Sequence, residues 1–391
     1  MEFRRNGRDV PLFFIIIALS MALLFGVSLA IEVEADETSF SKVVQSCFRS
    51  WVPDGSGWLT PSRINRLIMN QQVKGDEAAA VAAIHLYFRN HKEMSGLRKA
   101  ELLRADIAGD AEERAGELAR FRVLNGRFRK FSKRLKMASR TLFADNAPHL
   151  EGIRQGPLAD CWIVSAIGAA VYFHPLLLKG MILPRPDGSY TVKFRDGRSV
   201  FVNRLTDSQI VLSSTAPGQG LWLNVLEQAF GQVRKALMPK TRGMSALDAI
   251  SLGGDACPSI TRLTGHACRY FRIRLIHARA FSPNLTRRPE LVARVRNIIR
   301  LAVTNKRLIC AGTTGHGKLP PGVPHSHNFA VLGYRPESDS VTLWNPLGAN
   351  FKPKGASGLR NGYAEVDGIF HMPLHDFALV FGGMFFEAPR T

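Results

Sequence analysis

Val10 to Ile31 is an unbroken run of 22 residues without a charge, "VPLFFIIIALSMALLFGVSLAI". As a helix it would reach about 33 Å, the thickness of a bilayer core. Arg4, Arg5 and Arg8 precede it, and Glu32, Glu34, Asp36 and Glu37 follow it. That asymmetry predicts a cytoplasmic N-terminus with everything after the run outside. Ser28-Leu29-Ala30 offers small residues at the spacing of a cleavage site, so a signal peptide and an uncleaved signal anchor both stand. Either way residues 1–33 are set apart from the fold, and the rest is expected to be membrane-anchored or secreted.

Charge narrows the partners. Lys and Arg number 52 against 32 Asp and Glu, a formal net charge of +20. This favours anionic partners, or serves only as a solvated basic surface. The five cysteines, Cys47, Cys161, Cys257, Cys268 and Cys310, are too few for a disulfide scaffold. No CxxC pair supports a zinc site, and an odd count leaves at least one thiol free unless it pairs between chains.

Residues 34–140 read as a helical region. "SFSKVVQSCFRSW" (39–51) and the Ala-rich stretch 76–92 are helical, and 97–140 suggest one or two more helices. Between the first two, "VPDGSGWLTPSR" is similar to the middle of an EF-hand loop: Gly57 sits at the sharp turn and Leu59 at the short strand. Counted from Gly57, the first ligand position is Val52 and the twelfth is Arg63, which would repel calcium. A degenerate, metal-free loop and a plain helical hairpin are the two readings. In "RFRVLNGRFRKFSKRLKMASR" (120–140) Lys and Arg alternate with Phe and Leu. A membrane-surface helix or a nucleic-acid grip is conceivable, but no nucleic-acid motif accompanies it. A solvated face with an apolar seam against the next domain is preferred.

The chemistry concentrates in "QGPLADCWIVSA" (155–166). A Gly-Pro turn leads into an apolar helix from Trp162 to Phe173, with Asp160 as its N-cap. Cys161 then stands at a helix N-terminus, where the dipole is expected to lower its pKa. Gln155 is placed to swing its amide toward the same point and, with the Cys161 N–H, to form an oxyanion hole. A thiolate needs a base, and the base an orienter. "HNFAVLGY" and "SVTLWN" read as two strands joined by "RPESD", a hairpin that brings His327 and Asn345 to one end. His325, in a Pro-flanked loop, is the rival to His327.

These segments resemble the catalytic domain of calpain-like cysteine proteases. The family surrounds its nucleophile with Gln-Gly-x-Leu-Gly-Asp-Cys-Trp; here Gln155 to Trp162 reads Gln-Gly-Pro-Leu-Ala-Asp-Cys-Trp. The family's His-Ala-Tyr-Ser-Val is His327-Asn-Phe-Ala-Val, and its Asn-Pro-Trp-Gly is Asn345-Pro346-Leu347-Gly348. "TLFADNAP" (141–148), "GSYTVKFRDGRSVFVN" (188–203), "GLWLNVLEQAFGQV" (220–233) and "DGIFHMPLHDFALVF" (367–381) are similar to further family segments, in the right order, over about 141–388.

The resemblance implies an α+β, papain-like fold of two lobes, one helical and one antiparallel β, after an N-terminal α-helical extension. It gives three parts: 1–33, 34–140 and 141–391. It implies a cysteine endopeptidase with catalytic Cys161, His327 and Asn345, Gln155 in the oxyanion hole, and a protein or peptide substrate.

Two substitutions depart from the pattern. Leu347 is expected to shield the His–Asn pair less than the family's Trp, with Trp344 or Trp162 in compensation, and Ala159 to tighten the turn beside Cys161. Those departures leave an impaired binding protein as an alternative; acyl transfer by the same triad is another, and a basic adaptor a third. No cofactor is expected. Calcium dependence belongs to the family, but "ANFKPKGASGLRNG" (349–362) is basic where acidic ligands would be needed.

Overall fold

The computed structural model describes residues 39–103, 115–273 and 289–389; the expected signal or anchor segment 1–33 lies outside them. The chain opens with α1 (Phe40–Trp51), β1 (Trp58–Leu59) and α2 (Pro61–Ile68), then α3 (Gly75–Asn90), β2 (Leu97–Arg98) and α4 (Lys99–Leu103). Ser39 caps α1 by accepting the Lys42 N–H, and Thr60 caps α2 with Pro61 in its first turn. β1 and β2 pair antiparallel, Leu59 opposite Leu97. Two helix–strand–helix units are thus joined through their strands. In the first loop Arg63 ion-pairs with Asp54.

In α5 (Ala115–Met137), Leu124, Phe128, Phe131 and Leu135 recur at helical spacing and are buried. The apolar seam of the basic stretch therefore packs inward, against α3 and against α8 (Asp207–Leu212). Arg134, one residue before Leu135 in this highly charged stretch, is half-buried.

Next come α6 (Cys161–Phe173) and α7 (Pro175–Met181). β3 (Ile182–Pro184), β4 (Tyr190–Lys193) and β5 (Ser199–Val202) form a small antiparallel sheet. Asp196-Gly197 makes the expected turn of the β4–β5 hairpin, with Gly197 at φ +87°. Thr206 and Gln209 cap α8 reciprocally. α9 (Trp222–Leu237), α10 (Ala246–Ile250) and α11 (Cys257–Thr264) complete the helical lobe. One continuous apolar core runs from Phe40 through α6 and α9. Polar ties cross it: Thr206 Oγ1 donates to Ile68 O and Ser208 Oγ to Ala78 O.

The second lobe is a six-stranded antiparallel sheet ordered β10-β9-β8-β7-β11-β6: β6 (Cys268–Arg272), β7 (Ile309–Thr313), β8 (Asn328–Arg335), β9 (Ser340–Trp344), β10 (Ile369–Pro373) and β11 (Phe381–Glu387). Side chains alternate between two cores. Ile309, Ala311, Phe329, Val331, Val341 and Leu343 face α12 (Pro289–Thr304) and α13 (Leu374–Val380). Cys310, Ala330, Leu332 and Trp344 face α6. The fold is the expected α+β one. A disulfide, Cys257–Cys268, ties α11 to β6 across 11 residues, and Cys47, Cys161 and Cys310 are free. Among the described residues no single helix is long and apolar enough to cross a membrane.

Candidate active site

Cys161 is the first residue of α6 and 8% exposed. The turn that delivers it is strung between two partners. Arg154 exchanges both backbone hydrogen bonds with Thr215 at 2.8 Å, and the Gln155 N–H donates to Pro346 O at 2.7 Å. The Gly156 N–H donates to Ser214 Oγ at 3.1 Å. A Cβ on Gly156 would lie 2.4 Å from Ser213 O, so no other residue fits this approach. β9 thus meets the Cys turn through the Asn345-Pro346 segment that follows it.

Asp160 occupies the N-cap position, but its side chain makes no cap bond. Its Oδ1 accepts from Gln155 Nε2 at 2.9 Å. Its carboxyl also faces Glu227, and both acids are fully buried. Ser214 gives Glu227 a backbone N–H and, at 2.5 Å, its hydroxyl. The nearby Arg134 cation also favours charge on Glu227. Burial first, and then the Glu227 charge, raise the Asp160 carboxyl well above the usual carboxylate range, and burial raises Glu227 as well.

Arg134 reaches in from α5 to this same layer. Its Nη1 donates to Val211 O at 2.9 Å and its Nη2 to Ser213 O, one residue before the Ser214 that holds both Gly156 and Glu227.

The thiol departs from expectation. Burial pushes the Cys161 pKa up, outweighing hydrogen bonds from Asn328 and the Trp162 N–H. The helix terminus alone does not make a resting thiolate. Asn328 Nδ2 lies 3.9 Å from Cys161 Sγ. No sequence signal singled out Asn328; its place directly after His327 on β8 was the available clue.

His327 is 7% exposed and Asn345 1%. Asn345 Oδ1 accepts the Leu347 N–H at 3.1 Å and meets His327 Nε2 at 2.9 Å. The backbone donor fixes which amide atom is the oxygen, so Nε2 carries the ring proton and Nδ1 keeps the lone pair. Burial drives the His327 pKa down to about 4. The backbone of His327 is pinned by Thr313, whose Oγ1 accepts its N–H at 3.0 Å. Ser326, at φ +49°, turns the chain into the strand just before it. His325 is exposed, with Nδ1 3.3 Å from Thr314 O. Beside Asn345, burial raises the Glu365 carboxyl to about 7 against the opposing pull of the Asn345 amide and Arg154.

Three further residues singled out from the sequence are placed as follows. The Gln155 amide donates to Leu158 O at 2.7 Å and to Asp160 Oδ1 at 2.9 Å. Ala159 is exposed and is not at positive φ, so it imposes no strain on the turn. Leu347 is 43% exposed, yet His327 and Asn345 are buried without Trp162. Trp162 bonds Ile250 O and stacks under Arg234.

A family model described as "Calpain family cysteine protease" matches residues 129–384. The chain belongs to the calpain family of cysteine proteases. The match spans the site residues just described and begins inside α5, upstream of Arg134. Among curated proteins none matches the chain. The calpain-family domain assigns a cysteine peptidase and a protein or peptide substrate.

Proposed function

We propose that the chain is a calpain-type endopeptidase in which Cys161 is the nucleophile, His327 the general base and acid, and Asn345 its orienter. The observation that carries this reading is the buried His327–Asn345 bond, which leaves Nδ1 as the basic atom, on the residue adjoining the Asn328 that touches Cys161. Free thiol and free imidazole both rest neutral, because burial disfavours either charge. Attack therefore couples to proton transfer: Nδ1 takes the Cys161 proton as sulfur bonds to the peptide carbonyl carbon. The oxyanion is held by the Cys161 N–H, and by Gln155 once its amide leaves Leu158 O. Imidazolium then protonates the departing amine, and water hydrolyses the thioester.

A second reading, an impaired binding protein, draws on the engaged Gln155 amide and the raised thiol. An epoxide or fluoromethyl-ketone thiol probe separates the two. Labelling lost in both Cys161→Ala and His327→Ala establishes the nucleophile. Absence of labelling in a folded wild type favours the binding protein.

Activity without calcium is part of the proposal. Lys352, Lys354 and Arg360 crowd the loop after Gly348, and Arg63 already holds Asp54. Equal labelling in calcium and in chelator is expected. We also propose that residues 1–33 export or anchor the chain with its catalytic domain outside. The charge pattern around the run supports this, as does a disulfide of the kind that persists in oxidising compartments. Protease protection of intact cells' contents, with digestion of the surface-exposed domain, tests it. No nucleic-acid partner is proposed, since the apolar seam of 120–140 is buried.

A further inference from the structure

A cavity of about 360 Å³ opens beside His327. Its floor follows from register. Across the sheet, Asn328 pairs with Gly312, Gly312 with Gly383, and Gly383 with Arg272. Four strands thus place four residues in one row. The two middle ones are glycines, so the row is a trough with Asn328 at one end and Arg272 at the other. At about 4.8 Å per strand, the end backbones stand roughly 14 Å apart. An arginine and a carboxylate side chain can bridge that span between them. Asn328 touches Cys161 Sγ, so the trough starts at the reacting bond.

Neither glycine position admits a side chain: the Tyr270 ring lies over Gly383, 2.5 Å from where a Cβ would stand, and Asn328 Oδ1 lies 3.2 Å from a Cβ on Gly312, so Tyr270 and Asn328 themselves shape the cavity. Tyr270 stacks on Phe385, centroids 5.0 Å apart, and forms an aromatic wall for the stem of an entering side chain. Gly254, from the helical lobe, closes the opposite rim. Arg272 is exposed and lines this cavity, and no carboxylate is among the lining residues. A guanidinium in an otherwise small and aromatic pocket suits an anionic group taken by its planar fork, and among the unmodified side chains of a peptide that group is a carboxylate.

We propose that this trough receives a substrate side chain close to the scissile bond, and that Arg272 selects an acidic one, Glu or Asp. The inference rests on the endopeptidase reading for the identity of the ligand, but binding tests it apart from cleavage. The full chain carrying Cys161→Ala is titrated with fluorescent hexapeptides in which one Glu is moved along an otherwise uncharged sequence, and with the matching Gln peptides. At one position Glu should bind at least about tenfold tighter than Gln, as expected for a hydrogen-bonded ion pair. The gain should vanish with Arg272→Gln, and with Arg272→Glu the preference should turn to Lys. Equal affinity of Glu and Gln peptides at every position, or a Glu preference that survives Arg272→Gln, overturns the proposal. Cleavage by the protein with Cys161 intact is scored separately. A Glu preference in binding without cleavage would refute the endopeptidase reading and leave the acidic pocket standing; cleavage without a Glu preference would do the reverse.

Discussion

Gly168 lies two turns into α6 from Cys161, and its missing side chain is filled by Trp344. A Cβ built there would stand 2.2 Å from Trp344 Cζ3 and 2.5 Å from Cε3. Carbon atoms rest about 3.5–4.0 Å apart, so about 1.5 Å must be found. Trp344 has nowhere to move: it is fully buried, β9 is paired on both sides, and a Cβ at Gly368 would already be 3.1 Å from its Cδ1. The displacement must therefore open the gap between α6, which carries Cys161, and β9, which leads into Asn345. Gly168→Ala gains up to about 1 kcal/mol in helix propensity. Overpacking costs about 1–3 kcal/mol, so a net loss of about 1–2 kcal/mol is expected. Catalysis should suffer more, since an ångström of misplacement costs on the order of a hundredfold in rate. Gly126→Ala is the internal control: mid-helix in α5 with nothing within 4 Å, it should stabilise by up to about 1 kcal/mol and leave kcat/KM alone. Urea unfolding and kcat/KM on a peptide substrate measure both. Trp344→Phe removes the atoms the new Cβ meets, so the double variant should recover part of the activity. A Gly168→Ala protein as stable and active as wild type would refute the reasoning that this contact sets the separation of nucleophile and orienter.

Other outcomes follow from the same geometry. The His327 imidazole, at about 4 when folded and 6.5 when free, stabilises the fold above pH 6.5 and loses about 3 kcal/mol as pH falls through 4. Glu365, at about 7 when folded and 4.5 when free, works oppositely, stabilising by about 3 kcal/mol as pH falls from 7 through 4.5. Denaturation curves should show His327→Asn gaining stability relative to wild type toward acid pH and Glu365→Gln losing it; parallel curves would contradict both shifts. Alkylation and mass spectrometry should find three free cysteines before reduction and five after, and Cys257→Ser should cost about 2–3 kcal/mol for so short a loop. Five free thiols without reductant would remove the disulfide. Arg134→Met should destabilise by about 3 kcal/mol, because it leaves two buried carbonyls unpaired and Glu227 without its cation. For the same reason, deleting residues 39–140 should abolish thiol labelling by unfolding the domain. Labelling that rises on deletion would instead make the region an inhibitor.

What could be read in the sequence was whatever is written locally. The nucleophile's helix, the β8–β9 hairpin and the Asp196-Gly197 turn all follow from short-range periodicity and turn chemistry, and each stands where that chemistry puts it. The first paired strand of the helical extension was legible through Gly57 and Leu59. Its partner, Leu97, lacked a loop with the same spacing and emerged only through register. The protonation of the site was not legible either. A helix N-terminus argues for a thiolate, but burial between the assembled lobes raises the thiol and outweighs the hydrogen bonds from Asn328, 167 residues further along the chain. Desolvation is a property of the assembled lobes, and no window of sequence contains it. Arg134 illustrates the same limit from the other side. In sequence it is one cation among many on a basic helix, and nothing nearby distinguishes it from Lys133 or Lys136. Its difference is created by Val211, Ser213 and Glu227, nearly eighty residues or more downstream, whose carbonyls and carboxylate need a buried donor. Residues that bear the reaction are spelled out in motifs because the chemistry demands particular side chains. Residues that hold them in place answer to whatever the fold leaves unsatisfied, which is why they surface only when every buried polar atom is followed to its partner.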